Sequence, residues 1–407
     1  MLGAYRPMAF FLTGIGVLSL AIWLYLIALR GGYWRASERL ESNSAAPSTW
    51  PAVAAIVPAR DEVAVIGPAI ASLLAQTYPG RLTVLLVDDH SRDGTARAAM
   101  DAAKAAGRAA AFQVVQARAL PAGWTGKLWA LAEGARHAKT HLDNAEFLWL
   151  SDADIAHDPE NLRRLVVQAT AQRLDLVSLM VALSCGGVWE RLLIPPFVYF
   201  FQMLYPFAWS NDPRRRTAAA AGGCVLVRRI ILERAGGFAA IKSELIDDCA
   251  LARLIKHGPP PGGRIWIGLA TTARSIRPYQ GLGEIWRMVA RSAYTQLRHS
   301  PVLLAGTLLS MTLTFLTPPA LVLSTPWHGN AAALAAGLAA WALMTVSAWP
   351  TFALYRQPPW LAVLLPVAAV FYSAMTFDSA LRHWRGRGGT WKGRAQGAAV
   401  EDQRPGQ

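Results

Sequence analysis

Phe147-Leu148-Trp149-Leu150-Ser151-Asp152-Ala153-Asp154 is an apolar run that ends in two carboxylates one residue apart. A buried strand gains nothing from ending in like charges, whose repulsion needs a positive offset, and a divalent cation is the simplest one. In an open α/β sheet, ligands bind at the carboxyl ends of the strands. Asp152 and Asp154 are therefore candidates for holding a metal ion and the diphosphate it would carry. The competing reading is ordinary loop or cap chemistry, where Asp-x-Asp also occurs.

Outward from this stretch the chain alternates strand and helix signals in the βαβ manner of a mostly parallel sheet with helices on both faces. Strands are expected at Ala52 to Val57, Leu82 to Val87, Phe112 to Gln116 and Glu146 to Leu150, and helices at residues 63 to 76, 95 to 106 and 127 to 139. Asp158-Pro159-Glu160 reads as a helix start, with Asp as N-cap and Pro at the first helical position. The first strand ends in Pro58-Ala59-Arg60-Asp61-Glu62 and the second in Asp88-Asp89-His90-Ser91-Arg92-Asp93. Three acidic turns at strand ends line one crevice, whereas each alone would pass for a helix cap.

Other nucleotide motifs fit poorly. In Gly123-Trp124-Thr125-Gly126-Lys127-Leu128 the earlier glycine of a phosphate loop would fall at Pro121, and Leu128 stands where a Ser or Thr belongs. No G-x-G-x-x-G follows the first strand. Cys185, Cys224 and Cys249 show no CxxC spacing, so neither a zinc site nor a disulfide framework is expected.

Of the 407 residues 53% are hydrophobic and only 16% charged, a balance that points to a membrane protein. Residues 8 to 29 carry no charge and are long enough to cross a hydrocarbon core of about 30 Å. They read as a retained anchor over residues 1–30, followed by a linker at 31–49. Apolar stretches near 301 to 324, 331 to 354 and 360 to 381 form a C-terminal membrane region, and 382–407 a basic tail. One globular domain, 50–300, lies between. The net charge of +14 is mostly arginine, in Arg214-Arg215-Arg216, Arg287, Arg291 and the tail, which favours anionic lipid at the cytoplasmic face. Nucleic acid is not an expected partner, since the charge lies beside the membrane segments and no nucleic-acid motif occurs.

Together these residues resemble the family 2 glycosyltransferases of the GT-A fold. The likeness covers about residues 50 to 300 and rests on four ordered motifs: Pro58-x-x-Asp61-Glu62, Val87-Asp88-Asp89-x-Ser91-x-Asp93-x-Thr95, Asp152-x-Asp154 and Asp247-Asp248. Within that family it is similar to the hopene-associated glycosyltransferases, through Gly123 to Ala130, Gly222-Gly223, the multi-span C-terminus and Trp391-Lys392-Gly393-Arg394. The resemblance implies a nucleotide-sugar donor, and Mg2+ or Mn2+ as cofactor. Asp61 or Glu62 and Asp89 would hold the nucleoside, with Asp89 accepting from a uracil imide. Asp152 and Asp154 would hold ribose, diphosphate and metal, and Asp248 would be the catalytic base of an inverting transfer. Pro58, Asp88, Lys127, Asp247 and Arg291 complete the expected donor site. Leaving diphosphate is dianionic, so metal, Lys127 or Arg291 should supply positive charge.

Many membrane-bound relatives carry Q-x-x-R-W after the base. Here Met288-Val289-Ala290-Arg291-Ser292 keeps the arginine without the tryptophan, which argues against processive polymerisation. Residues 188 to 209, aromatic and broken by Pro195-Pro196 and Pro206, and residues 284 to 298 are expected to lie along the interface and present a membrane lipid to Asp248. The acceptor implied is a hopanoid or related polyprenoid. A polyprenyl-phosphate sugar synthase, a processive synthase and a non-catalytic scaffold are the alternatives. The domain and the tail are both expected in the cytoplasm, at a bacterial-type inner membrane. That leaves an even number of full C-terminal crossings, with 301 to 324 the expected exception because Pro318-Pro319 interrupts it.

Overall fold

The computed structural model describes residues 2–40, 45–142, 144–386, 390–391 and 394–395. The chain divides into two compact units, one of residues 37–184, 209–278 and 389–407 and one of residues 1–36, 185–208 and 279–388.

The first unit is built on eight strands: β1 (Ala52–Ala59), β2 (Leu82–Asp88), β3 (Phe112–Gln116), β4 (Ala145–Ser151), β5 (Ile155–His157), β6 (Leu176–Ala182), β7 (Cys224–Arg228) and β8 (Ile265–Ser275). Their order is β3-β2-β1-β4-β7-β6-β8-β5. The sheet is mixed: β1–β2, β1–β4, β2–β3 and β6–β8 pair parallel, while β4–β7, β6–β7 and β5–β8 pair antiparallel.

Alternation along β4 shows why it is central. Phe147 and Trp149 belong to the core on one face, with Ile70 and Leu73 of the helix Val63–Leu74 and Leu165 of Asn161–Ala171. Leu148 and Leu150 belong to the other, with Leu131 of the helix Gly126–His141 and Leu251 of Asp247–Lys256. Burying such side chains contributes about 1.5–3 kcal/mol each, which fixes the register of a strand covered on both faces. One local expectation fails. Asp158 and Pro159 do not open the following helix, which starts at Asn161 with Glu160 at the cap, because the Asp158 carbonyl closes a tight turn onto the Asn161 N–H at 2.9 Å.

Register then places the site. Ile56 of β1 lies beside Leu85 of β2 and Leu150 of β4, so these three parallel strands end together. Because β7 runs antiparallel, with Cys224 opposite Ser151, the Gly222-Gly223 turn before it arrives at the same edge. The pairing of β8 with β5, Ser275 opposite Ile155, brings the residues after β8 alongside Asp154.

Among the described residues, four helices, all in the second unit, are long and apolar enough to cross a membrane: Pro7–Leu29, Pro301–Leu323, Ala331–Leu354 and Pro359–Trp384. Asn330 Nδ2 donates to the Ala9 carbonyl at 2.9 Å and marks one end of the bundle. The opposite end is traced by Arg30 to the Met203 carbonyl, Gln202 to Thr351, Gln296 to the Tyr205 hydroxyl, and the Tyr294 N–H to Ser379. The helix Pro301–Leu323 absorbs its prolines through a π-helical turn at Thr312–Leu316, so the expected interruption does not occur there. The last segment is built from two parts. Trp341 Nε1 donates to the Val363 carbonyl at 3.2 Å, and Trp341 lies ten residues, about 15 Å, inside the bundle from Thr351. From there the helix Leu365–Trp384 returns to the Tyr294 end, where the His383 ring stacks on His299 at 4.1 Å. The turn Pro359–Leu364 thus packs beside Trp341 before the helix Leu365–Trp384 runs back toward Tyr294.

Residues 188 to 209 also differ from expectation. The helix Val188–Leu204 runs unbroken through Pro195 and Pro196 and stops before Pro206, with Tyr199 buried between Tyr33 and Ser347. Of the basic tail, Arg382 and Arg385 are described, whereas Arg387, Lys392 and Gly393 lie outside the described residues.

Candidate active site

Two helix starts and two strand ends converge on one crevice, lined by Pro58, Lys127, Asp152, Gly222, Asp247 and Asp248. Lys127 projects from the first turn of its helix, capped by the Thr125 hydroxyl. Its Nζ lies 2.9 Å from Asp152 Oδ1 and 3.2 Å from Asp247 Oδ2. Burial disfavours the ammonium, but Asp152 and Asp247 more than offset this, so its pKa is raised.

Asp247 and Asp248 open the helix Asp247–Lys256, where a carboxylate is favoured by the N-terminal end of the helix dipole. Asp248 accepts from the Gly222 N–H at 3.0 Å and from its neighbour Cys249 N–H at 2.7 Å. Burial, and then the charge of Asp247, push its carboxyl up to about 6. Each oxygen keeps a lone pair beyond these bonds. Burial also raises Asp152, with Lys127 opposing.

The second acid of the Asp-x-Asp pair has a different partner. Arg277 Nε lies 3.2 Å from Asp154 Oδ2, and its Nη2 pairs with Glu62 at the end of β1. Nothing in the local sequence around 277 signals this, since it depends on the β5–β8 pairing. Sequence reasoning therefore missed Arg277, as it missed the Gly222 backbone N–H that donates to Asp248.

The remaining candidates divide. Asp61 is exposed and accepts from the Arg92 N–H at 2.8 Å, tying the first acidic turn to the second. Asp88 accepts from the Ser91 N–H at 3.3 Å within its turn. Asp89 is fully buried and faces Arg60, whose Nη1 is 3.5 Å from its carboxylate. Asp93 takes the bland role of a cap, accepting from the Thr95 hydroxyl and the Thr95 and Val63 N–H groups. Arg291 caps the C-terminus of Leu282–Ala290 and belongs to the other unit.

The five carboxylates of Glu62, Asp152, Asp154, Asp247 and Asp248 meet two cations, Lys127 and Arg277. Among the described residues no group of three His, Cys, Asp or Glu side chains is placed to hold a metal alone. Oxygen donors in a crevice with this negative excess nevertheless fit a divalent cation that shares its ligands with a phosphate, as Mg2+ commonly does.

The sheet order, the acids at its strand ends and the apolar helices define a GT-A-type α/β domain joined to membrane-length helices. Residues 54–236 match the family model described as Glycosyl transferase family 2. No curated protein matches the chain by sequence. Among solved structures, a mannosyltransferase from Pyrobaculum calidifontis in complex with GDP-Man and Mn2+ is 21% identical, with TM-score 0.56, over 92% of this chain and 99% of that one. At that identity the likeness concerns the fold. A glucosyl-3-phosphoglycerate synthase from Mycobacterium tuberculosis, solved with Mn2+, UDP-Glc and phosphoglyceric acid, is 19% identical over 61% of this chain and 79% of that one. Its TM-score is 0.39.

Proposed function

We propose that this chain is a membrane-bound inverting glycosyltransferase that moves one sugar from a nucleotide-sugar to a lipid acceptor. The observation that carries this reading is Lys127 joining Asp152, at the end of β4, to the Asp247-Asp248 pair. On this reading one cation lies between an acid that would face the diphosphate and the pair that would supply the base.

In the proposed reaction Asp248 takes the proton of the acceptor hydroxyl as that oxygen bonds to the anomeric carbon. The bond from that carbon to the diphosphate breaks with its electrons leaving on oxygen. A carboxyl raised to about 6 is a stronger base than an ordinary aspartate and is still ionised near neutral pH. Asp152 and Asp154 would hold Mg2+ or Mn2+, which when bound would neutralise the leaving diphosphate. Lys127 offers a second positive charge to the same group. Asp61, Glu62, Asp88 and Asp89 would shape the nucleoside side of the crevice, with Asp89 acting through Arg60. Pro58 lines the crevice floor.

The four apolar helices support a membrane acceptor, and the likeness to hopene-associated enzymes favours a hopanoid or related polyprenoid. The domain is proposed to face the cytoplasm of a bacterial-type inner membrane, where nucleotide-sugars are supplied. The test is nucleotide release from UDP- and GDP-sugars by full-length protein with extracted membrane lipid. Release that needs both sugar donor and lipid supports the reading. Sugar transfer to a soluble metabolite without lipid would refute the acceptor class.

A further inference from the structure

Arg277 occupies an unusual place: it follows the last strand of the sheet, yet its guanidinium bridges two acids from other strand ends, Glu62 after β1 and Asp154 after β4. Its backbone is pinned there, since the neighbouring Ile276 N–H donates to the Asp154 carbonyl at 2.9 Å and its own N–H reaches Ser275 Oγ at 3.3 Å. The side chain is not pinned in the same way, being 39% exposed. Lys127 on Asp152 and Arg277 on Asp154 thus hold one cation against each acid of the pair.

A divalent ion on Asp154 and a guanidinium 3.2 Å from Asp154 Oδ2 cannot share that carboxylate without strong like-charge repulsion. Arginine displaced from Asp154 keeps Glu62 as a tether, so it stays at the crevice. Its planar fork of five donors is matched to phosphate oxygens in a way that a lysine ammonium is not.

We propose that Arg277 is a resident counter-ion that holds Asp154 in the donor-free protein and is handed to the diphosphate when cation and nucleotide bind. The proposal rests on the glycosyltransferase reading above and makes Arg277 a partner-exchanging residue. Lone metal is then held weakly, and metal with nucleoside diphosphate is held cooperatively.

The experiment measures Mn2+ alone by electron paramagnetic resonance, and UDP and GDP with Mn2+ by calorimetry, on full-length protein in detergent. Arg277→Gln should bind Mn2+ alone about fivefold more tightly, because a competing cation is gone. The same variant should bind the nucleoside diphosphate about tenfold more weakly with Mn2+ present, because charged hydrogen bonds to it are lost. Arg277→Lys should restore the competition with Mn2+ but only part of the nucleotide affinity. These opposite shifts distinguish exchange from support: weaker or unchanged Mn2+ binding in Arg277→Gln, with wild type binding normally, overturns the proposal alone. Wild type that binds neither Mn2+ nor either nucleotide overturns the glycosyltransferase reading with it. If Arg277→Gln does not fold, wild-type Mn2+ affinity that is unchanged by nucleotide overturns the exchange by itself.

Discussion

The backbone N–H of Gly222 donates to Oδ2 of Asp248 at 3.0 Å, and a side chain at 222 would put its Cβ 3.1 Å from Lys127 Nζ. The turn before β7 therefore abuts both the proposed base and the cation beside it. Gly222→Ala should displace the lysine tip rather than the backbone, leaving unfolding stability within about 1 kcal/mol. Turnover should fall about tenfold or more, since small misplacements of catalytic groups are costly. Steady-state kinetics beside a denaturant titration checks this; loss of stability with normal turnover in the folded fraction would refute it.

Asp154→Ala and Asp248→Asn should fail differently. The first removes a carboxylate proposed to face metal and diphosphate, so donor and Mn2+ binding should fall along with the rate. The second should keep donor affinity while turnover drops by about 10²-fold or more, the usual loss of a general base. Calorimetry paired with single-turnover rates separates them, and normal rates in both would remove these residues from the site.

Turnover should rise with pH through an acid limb near 6, as Asp248 loses its proton. Asp247→Asn removes the like charge beside it and should move that limb to lower pH. The sign for stability is opposite. A carboxyl raised on folding favours the protonated native state, so this contribution is fully present below the ordinary carboxylate value and lost as pH rises through about 6. A pH–rate profile of turnover in wild type and Asp247→Asn is the measurement, and an upward shift would contradict the assignment.

The bundle geometry predicts that a reporter fused after residue 397 shares its side with one fused after residue 42. On this prediction Pro301–Leu323 and Ala331–Leu354 form a crossing hairpin, and 359–384 returns to the end it entered from. Activity of the two fusions on opposite sides of the membrane would mean that 359–384 crosses fully.

Much of this was legible from the chain. The alternation of Phe147 and Trp149 with Leu148 and Leu150, ended by Asp152, is a local pattern and reports a two-faced strand with a polar end. Asp61, Asp88 and Asp154 could be placed at strand ends for the same reason, and charge-free runs of bilayer length announce themselves by composition. Spacing and hydropathy are properties of neighbours in sequence. What they could not decide was which end meets which: Arg277 reaches Asp154 only because β8 pairs antiparallel with β5, more than a hundred residues earlier. Arg291, chosen by motif, belongs to the other unit, and spacing gave no sign that Val363 would pack against Trp341. A π-helical turn absorbed the prolines of one segment, while a hydrogen bond from Trp341 ties Val363 of the other to its neighbouring helix. The sequence by itself determined the elements and the chemistry at their ends. Tertiary pairing alone decided which charges share a crevice, because Coulomb and hydrogen-bond contacts act over a few ångströms of space whatever the distance along the chain.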